Sequence, residues 1–207
     1  FLHYASALNG FTQMPAVIGF LSLLLLSLAA VLAVDLMKLR SRCLGGVCGA
    51  VMAAFPCLGY TFLYMFTASA YCLGIFMAVL AVWLAVRGKW WLVPAVLLLA
   101  MAMGTYQAYA AVSIALSVLV VIEYLTRPEA TLRGTLPLGG RLVGFLVLGA
   151  AAYYGILQIF LRVKHVQLLS YLGMDTVMTH YPFSKLPSLL VTVSYTHLRA
   201  HETEADL

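Results

Sequence analysis

Charged side chains are scarce in this sequence: Asp, Glu, Lys and Arg together make up 9% of its 207 residues, against about 25% in a typical soluble domain. Apolar residues make up 64%, where about 45–50% is usual. The apolar residues form runs of roughly 20, and each such run is long enough to cross a bilayer as a helix. The composition excludes a soluble domain, and it predicts an all-α, polytopic integral membrane protein with about six transmembrane helices.

Motifs for metal, nucleotide and nucleophilic chemistry are also lacking. The sequence contains no Walker loop, no dinucleotide fingerprint and no recognisable catalytic triad. Its four cysteines show neither C-x-x-C nor zinc spacing, and all fall in or beside apolar runs, so we expect buried free thiols rather than disulfides. No metal site is predicted. The net charge of +5 comes from short basic clusters between the apolar runs, which indicates control of topology rather than nucleic-acid binding.

Six membrane spans are predicted from the apolar runs. Arg127–Arg141, which contains two prolines and a glycine pair, is interpreted as a cytoplasmic loop, and Leu186–Thr192 opens a possible seventh span. A kink is expected in the second span at Pro56 and Gly59, as membrane helices tolerate. The six spans are Pro15–Met37, Leu44–Phe66, Ala68–Val86, two short spans within Trp90–Leu125 that separate at Met103–Tyr109, and Leu142–Leu161.

The distribution of basic residues predicts the orientation of these spans. Eight Lys and Arg residues fall on one side of the threading, which the positive-inside rule makes cytoplasmic. Phe1–Met14, a turn near Thr67, the turn at Tyr106–Tyr109 and the segment Arg162–Lys185 then face outward. The eight cytoplasmic basic residues are Lys38, Arg40, Arg42, Arg87, Lys89, Arg127, Arg133 and Arg141.

The C-terminal segment is unlike the rest of the chain, because it is polar and rich in histidine. Translated back into codons, Val193–Thr203 resembles a transposase-type sequencing-library adapter read in one frame, and an index with the adapter's continuation accounts for the residues to Leu207. We therefore interpret 193–207 as a non-native tail, to be left out of fold reasoning. The alternative is a genuine tail in which His197 and His201 form a helical zinc pair at i, i+4, although no third ligand group is evident.

The remaining residues 1–192 are interpreted as one partial transmembrane domain that is truncated at both ends. The first residue is Phe1 and no signal peptide is recognisable, so an internal fragment is expected. Near the basic clusters, Asp35 is expected to form a local ion pair with Lys38. Glu123 is expected at the membrane interface, and Trp90 and Trp91 at an interfacial aromatic belt.

Two outward segments contain polar residues that could form a site. Tyr106 and Tyr109 share a helical face at i, i+3 with Gln107 beside them, which could present an aromatic wall and an amide to a sugar or a lipid phosphate. The alternative is an interfacial aromatic belt with Gln107 bonded to a neighbouring helix. In LLSYLGMD, Asp175 could act as a base in glycosyl transfer, or it could simply be a turn residue after Gly173.

The stretch AAFPCLGYTFLYMFTASAYCLGIFMAVLAVWLAVR (Ala53–Arg87), followed by LLLAMAMGTYQAYAAVSIAL and LLSYLGMD, resembles the bacterial Gtr-type (type II) membrane glucosyltransferases. The resemblance extends over about Phe1–Thr192. It implies the fold of integral-membrane, lipid-donor glycosyltransferases, with no resident cofactor. It also implies transfer of glucose from a polyprenyl-phosphate donor to a surface glycan such as the O-antigen of lipopolysaccharide, at the outer face of the bacterial cytoplasmic membrane.

The resemblance also assigns roles to residues. The main catalytic acids are expected in an outward loop upstream of Phe1, so this fragment by itself is expected to be inactive. A transporter or flippase of lipid-linked sugars is the alternative function, and a non-catalytic membrane scaffold is a third. Partners are the bilayer, the lipid-linked donor and the glycan acceptor. The candidate site residues are Asp175 as a catalytic residue and Tyr64, Tyr71, Tyr106, Gln107, Tyr109 and Tyr171 as substrate-binding residues.

Overall fold

The structure is a computed structural model that describes residues 14–39, 41–54, 61–63, 65–127 and 131–164. Within these residues the chain forms six principal helices and no strand, which confirms the all-α class. The chain divides into two compact units, Phe1–Ile159 and Phe160–Leu207. In the second unit only the last turn of the final helix is described, so the packing below concerns the first unit. The helices are α1 (Pro15–Leu36), α2 (Arg42–Ala53), α3 (Met65–Arg87), α4 (Leu92–Thr105), α5 (Tyr109–Leu125) and α6 (Leu132–Lys164).

Three of these helices are long and apolar enough to cross a membrane: α1, α3 and α6. The helices α4 and α5 are shorter, with 14 and 17 residues, and they are separated at residues 106–108. The predicted break of the long apolar run at Met103–Tyr109 is thus confirmed. The chain is therefore an all-helical membrane protein.

Helix α3 lies at the centre of the bundle and packs against α1, α4 and α5. Its membrane segment is 61% buried, compared with 39% for α1 and 17% for α6. Small residues let the neighbouring helices approach closely, as is typical of membrane interfaces: Ala70, Ala78 and Ala81 are fully buried. On α6, Leu142 and Phe145 enter the same core.

The predicted turn near Thr67 is wrong, because α3 begins at Met65 and Thr67 lies inside the helix. The segment offers no proline or glycine to end a helix there, and Ser69, one turn into α3, is buried. Helix α2 ends at Ala53 instead, shortly before Pro56, and the residue that precedes a proline disfavours helical geometry. The predicted kink at Pro56 and Gly59 lies outside the described residues.

The predicted cytoplasmic loop Arg127–Arg141 is also wrong from Leu132 onward, because α6 already begins there. Thr131 caps this helix: its Oγ1 accepts a hydrogen bond from the backbone N–H of Gly134 at 3.3 Å, as capping residues do. Pro137 removes one backbone hydrogen bond near the start of the helix. Burial of Leu138 and Leu142 against the core favours the helix in spite of that loss.

Four of the eight basic residues predicted for the cytoplasmic side lie together at one end of the bundle, as predicted, whereas Arg162 and Lys164 lie in the last turn of α6. Lys38, Lys89, Arg127 and Arg141 line a single cavity, and we call this end the basic end. Trp90, which is 94% exposed, lies beside it in the connection from α3 to α4. Which side of the membrane the basic end faces stays a prediction.

The partners of Asp35 differ from the prediction. Its carboxylate accepts a hydrogen bond from Trp83 Nε1 at 2.7 Å and lies 3.8 Å from the guanidinium of Arg87. The same guanidinium lies over the Trp83 ring, 3.5 Å from its centroid, as in a cation–π contact. Asp35 therefore joins the end of α1 to α3, and among the described residues it forms no ion pair with Lys38. Glu123, in turn, pairs with Arg127 one helical turn later.

Of the four cysteines, three are described, and all three are free as expected: Cys72 is buried, whereas Cys43 and Cys48 are exposed rather than buried.

Candidate functional site

Tyrosines from several helices lie at the end of the bundle opposite the basic end, and we call this the aromatic end. Tyr71 comes from α3, Tyr106 from the connection between α4 and α5, Tyr109 from the first turn of α5, and Tyr153 from α6. Helices α3 and α5 begin at the aromatic end and run toward the basic end, whereas α4 and α6 run in the opposite direction. The first turns of α3 and α5 therefore lie beside the C-terminal parts of α4 and α6.

The local sequence explains why the chain turns at Tyr106. The Thr105 hydroxyl donates to the carbonyl of Met101 at 3.2 Å, a backbone contact that competes with regular helix geometry. Tyr106 then adopts an extended conformation, with φ −155° and ψ 120°. Three residues later α5 begins, and the backbone N–H of Tyr109 donates to the Tyr106 carbonyl at 3.0 Å. The result is a tight connection that holds two tyrosines and an amide together.

Three of the tyrosine rings form a continuous edge-to-face cluster. The centroids of Tyr71 and Tyr106 are 6.2 Å apart with an interplanar angle of 86°. The centroids of Tyr106 and Tyr109 are 5.5 Å apart at 77°. These are favoured arrangements for aromatic pairs. Tyr106 is 54% exposed and Tyr109 only 9% exposed. The exposed ring of Tyr106 therefore packs against the buried ring of Tyr109.

A side-chain hydrogen bond extends the cluster to α6. Gln107 Nε2 donates to the Tyr153 hydroxyl at 2.8 Å, and Gln107 is exposed. The amide therefore has its carbonyl oxygen available to a ligand, while its nitrogen fixes the side chain to a second helix. An amide held next to an exposed ring is a suitable arrangement for a sugar, whose apolar face stacks on aromatic groups and whose hydroxyls need hydrogen-bond partners.

Gly74 on α3 provides the space that Tyr109 occupies. A Cβ at Gly74 would lie 2.8 Å from Cδ2 of the Tyr109 ring and 3.3 Å from Cβ of Thr105. Both distances are shorter than ordinary van der Waals contact, which lies near 3.5–4.0 Å. The position of the buried tyrosine thus depends on the absence of a side chain at Gly74, about two and a half turns from the start of α3.

The structure brings four of the predicted site residues together: Tyr71, Tyr106, Gln107 and Tyr109. The alternative interpretation is confirmed for Gln107, which is hydrogen-bonded to Tyr153 on a neighbouring helix. Its interfacial belt of exposed rings fits Tyr106 but not the buried Tyr109. The other three predicted site residues, Tyr64, Tyr171 and Asp175, lie outside the described residues. Whether any of these residues binds substrate stays a prediction.

Two residues that shape the aromatic end, Tyr153 and Gly74, were not predicted from the sequence. For Tyr153, the available signal was the tyrosine pair 153–154 near the far end of the last predicted span. For Gly74, no local signal exists, because its importance comes from a ring that lies 35 positions later in the sequence.

The aromatic end supplies binding groups rather than acids or bases. Within the part of the chain that the structure describes, the two carboxylates are Asp35 and Glu123, and both lie at the basic end. No group of three or more His, Cys, Asp or Glu side chains comes together among the described residues. The aromatic end thus offers aromatic faces and an amide, but none of the described carboxylates.

The fold and the site define a class: an all-helical membrane protein with an aromatic, amide-containing surface at one end of its bundle. The family model described as Glucosyl transferase GtrII matches residues 1–201, so the chain belongs to the GtrII glucosyl transferase family, as the sequence resemblance indicated. No curated protein and no solved structure matches the chain. The family match overlaps the segment interpreted as adapter-derived over residues 193–201, so that interpretation remains a prediction.

Proposed function

We propose that the protein containing this chain transfers glucose from a polyprenyl-phosphate donor to a surface glycan, such as an O-antigen, at the outer face of the bacterial cytoplasmic membrane. The glucosyl transferase family supports the group that is transferred. The observation that carries the proposal is the aromatic cluster with its fixed amide, at the end of the bundle opposite the basic end.

The placement at the outer face follows from charge. By the positive-inside rule, the basic end faces the cytoplasm and the aromatic end faces outward. A polyprenyl-phosphate donor keeps its chain in the bilayer and its sugar at the surface. An exposed ring at the end of a membrane helix would meet the sugar at that level.

Each residue then has a role. Tyr106, the exposed ring, stacks on the glucosyl group. Gln107 accepts a hydrogen bond from a sugar hydroxyl, and Tyr71 and Tyr109 support the exposed ring. Tyr64, Tyr171 and Asp175 complete the proposed site from segments outside the described residues, with Asp175 orienting or deprotonating the acceptor hydroxyl.

The polar groups at the aromatic end also separate this proposal from a transporter of lipid-linked sugars. Substrate sites of secondary transporters typically lie near the bilayer midplane, at broken helices. The cluster of Tyr71, Tyr106 and Tyr109 lies instead near helix ends. Helix α3 is unbroken from Met65 to Arg87, unlike the broken helices of such transporters.

Replacing Tyr106 with alanine in the full-length protein tests the proposal. We expect transfer from polyprenyl-phosphate glucose to fall about tenfold, mainly through a higher KM for the donor, because an aromatic contact contributes about 0.5–1.5 kcal/mol. The measurement is the rate of glucosyl transfer in membranes at several donor concentrations.

The matched control is Trp90→Ala, which removes an exposed aromatic ring at the basic end and should leave the KM for the donor within twofold of wild type. A Tyr106→Ala protein that is inserted normally and keeps the wild-type KM for the donor would exclude the aromatic end as the donor site. Full activity with a soluble sugar nucleotide, and none with the lipid donor, would contradict the proposed substrate.

A further inference from the structure

The basic end contains a cavity of about 750 Å³ that the proposed transfer reaction does not use. It lies where α1, α3 and α5 end and where α4 and α6 begin. Lys38, Lys89, Arg127 and Arg141 line it, together with a single carboxylate, that of Glu123. Four cationic side chains thus face one acidic side chain across a space of the size that small ligands occupy in proteins.

The acidic side chain is already engaged. Glu123 accepts a hydrogen bond from Arg127 Nε at 3.1 Å and a second from the Nη2 of the same guanidinium. This bidentate pair neutralises only one of the four cationic side chains, that of Arg127. Within the described part of the chain, Lys38, Lys89 and Arg141 have no carboxylate partner, so the cavity has an excess of positive charge.

Arg141 gives a second, independent indication that the cavity binds an anion. One terminal nitrogen, Nη2, donates to the carbonyl of Val86 at 2.6 Å, so the guanidinium caps the C-terminal end of α3. Its Nε is buried and has no hydrogen-bond partner among the described residues. An unsatisfied buried donor on a charged group is unfavourable, and helix capping does not account for this nitrogen. Because Arg141 also lines the cavity, an anion bound there would compensate the charge of this guanidinium.

The rest of the cavity wall is apolar, with Leu36, Leu92, Val120 and Leu138 among its lining residues. Trp90 and Trp91, exposed beside Lys89, are typical of the level where lipid headgroups meet the hydrocarbon. A cavity with cationic groups and leucine side chains at this level matches an amphiphile that has a phosphate next to acyl chains. It matches a soluble anion less well.

We propose that this cavity binds the phosphate headgroup of an anionic phospholipid, drawn from the membrane leaflet on the basic side. Lys38, Lys89 and Arg141 contact the phosphate oxygens, and the apolar wall contacts the glycerol and the first methylenes of the acyl chains. Basic pockets between membrane helices bind anionic lipid headgroups through the same chemistry. The bound lipid would fix the ends of α3, α5 and α6 relative to one another. This inference does not depend on the donor or acceptor of the transferase.

The test measures lipid binding to the full-length protein, purified in a neutral detergent, by native mass spectrometry during titration with phosphatidylglycerol or phosphatidylcholine. We expect phosphatidylglycerol to bind at least tenfold more tightly. The variant K38Q/K89Q should lose about tenfold or more of that preference, because each basic residue near a headgroup contributes substantially to binding. Both lysines are exposed, so the fold should tolerate these substitutions.

The matched control is R162Q/K164Q, which removes the same amount of charge from the exposed last turn of α6 and should keep the wild-type preference. Equal binding of the two lipids by wild type, or equal losses in both double variants, would overturn the proposal. Displacement of phosphatidylglycerol by inorganic phosphate at comparable concentrations would assign the site to soluble phosphate, and would also overturn it. Because the readout is lipid binding, a failure here leaves the transferase proposal to its own test.

Discussion

Replacing Gly74 with alanine is expected to lower glucosyl transfer by the full-length protein on the order of tenfold to a hundredfold. The added Cβ would meet the ring of Tyr109 and come within 3.3 Å of Thr105 Cβ. The ring is rigid and buried, and Thr105 ends α4, so the collision displaces the connection that holds Tyr106. Such overpacking also lowers the free energy of unfolding by about 1–3 kcal/mol. The measurements are transfer rate and unfolding in mixed micelles.

Two further variants separate a local effect from general destabilisation. Gly144→Ala is the control, because a Cβ at that position meets no atom within 4 Å and should change neither property appreciably. The double variant G74A/Y109V removes the ring that the new methyl group meets, so it should regain stability without regaining transfer. Recovery of transfer in the double variant would show that Tyr109 does not contribute to the site.

Replacing Gly149 with alanine is expected to separate α6 from α4. The new Cβ would collide with the side chain of Leu99, coming within 2.9 Å of its Cγ and 3.2 Å of its Cβ. Leu99 is only 1% exposed and cannot move away freely. Tyr153 lies one turn further along α6, so the displacement should break its hydrogen bond with Gln107. We expect a loss of about 1–3 kcal/mol in unfolding free energy and a parallel loss of transfer.

A double-mutant cycle with Leu99→Ala checks the mechanism. Leu99→Ala alone should cost about 2–5 kcal/mol through cavity formation. The double variant should be more stable than the sum of the two losses predicts, by at least about 1 kcal/mol, because the methyl group fills part of the cavity. Gly155→Ala, in open space on the same helix, is the control. Additive losses in the cycle would show that the two residues do not meet.

The sequence predicted those features that depend on local composition. The apolar runs gave the membrane class and the positions of α1 and α3 to within a few residues, because about 20 apolar residues are needed to cross a bilayer. The polar break at Tyr106–Tyr109 was recognisable for the same reason. The shared location of Lys38, Lys89, Arg127 and Arg141 followed from their spacing between runs.

Features that depend on contacts between distant residues were not predictable in this way. Asp35 was assigned a neighbour three residues away, but its hydrogen-bond donor is Trp83, which lies 48 positions later. The hydrogen bond from Gln107 to Tyr153 joins residues 46 positions apart. Local signals also misled where capping and burial outweigh a helix-breaking residue: Pro137 suggested a loop, but Thr131 and Leu142 stabilise a helix there.

The measurement that tests the central claim most directly is photo-crosslinking with a polyprenyl-phosphate glucose analogue that has a photoreactive group on the sugar. The full-length protein is labelled in membranes, digested and mapped by mass spectrometry, with unlabelled donor as competitor. We predict competable labelling in the peptide that contains Tyr106, Gln107 and Tyr109. Competable labelling confined to peptides of the basic end, around Lys89 or Arg127, would contradict the assignment of the donor to the aromatic end.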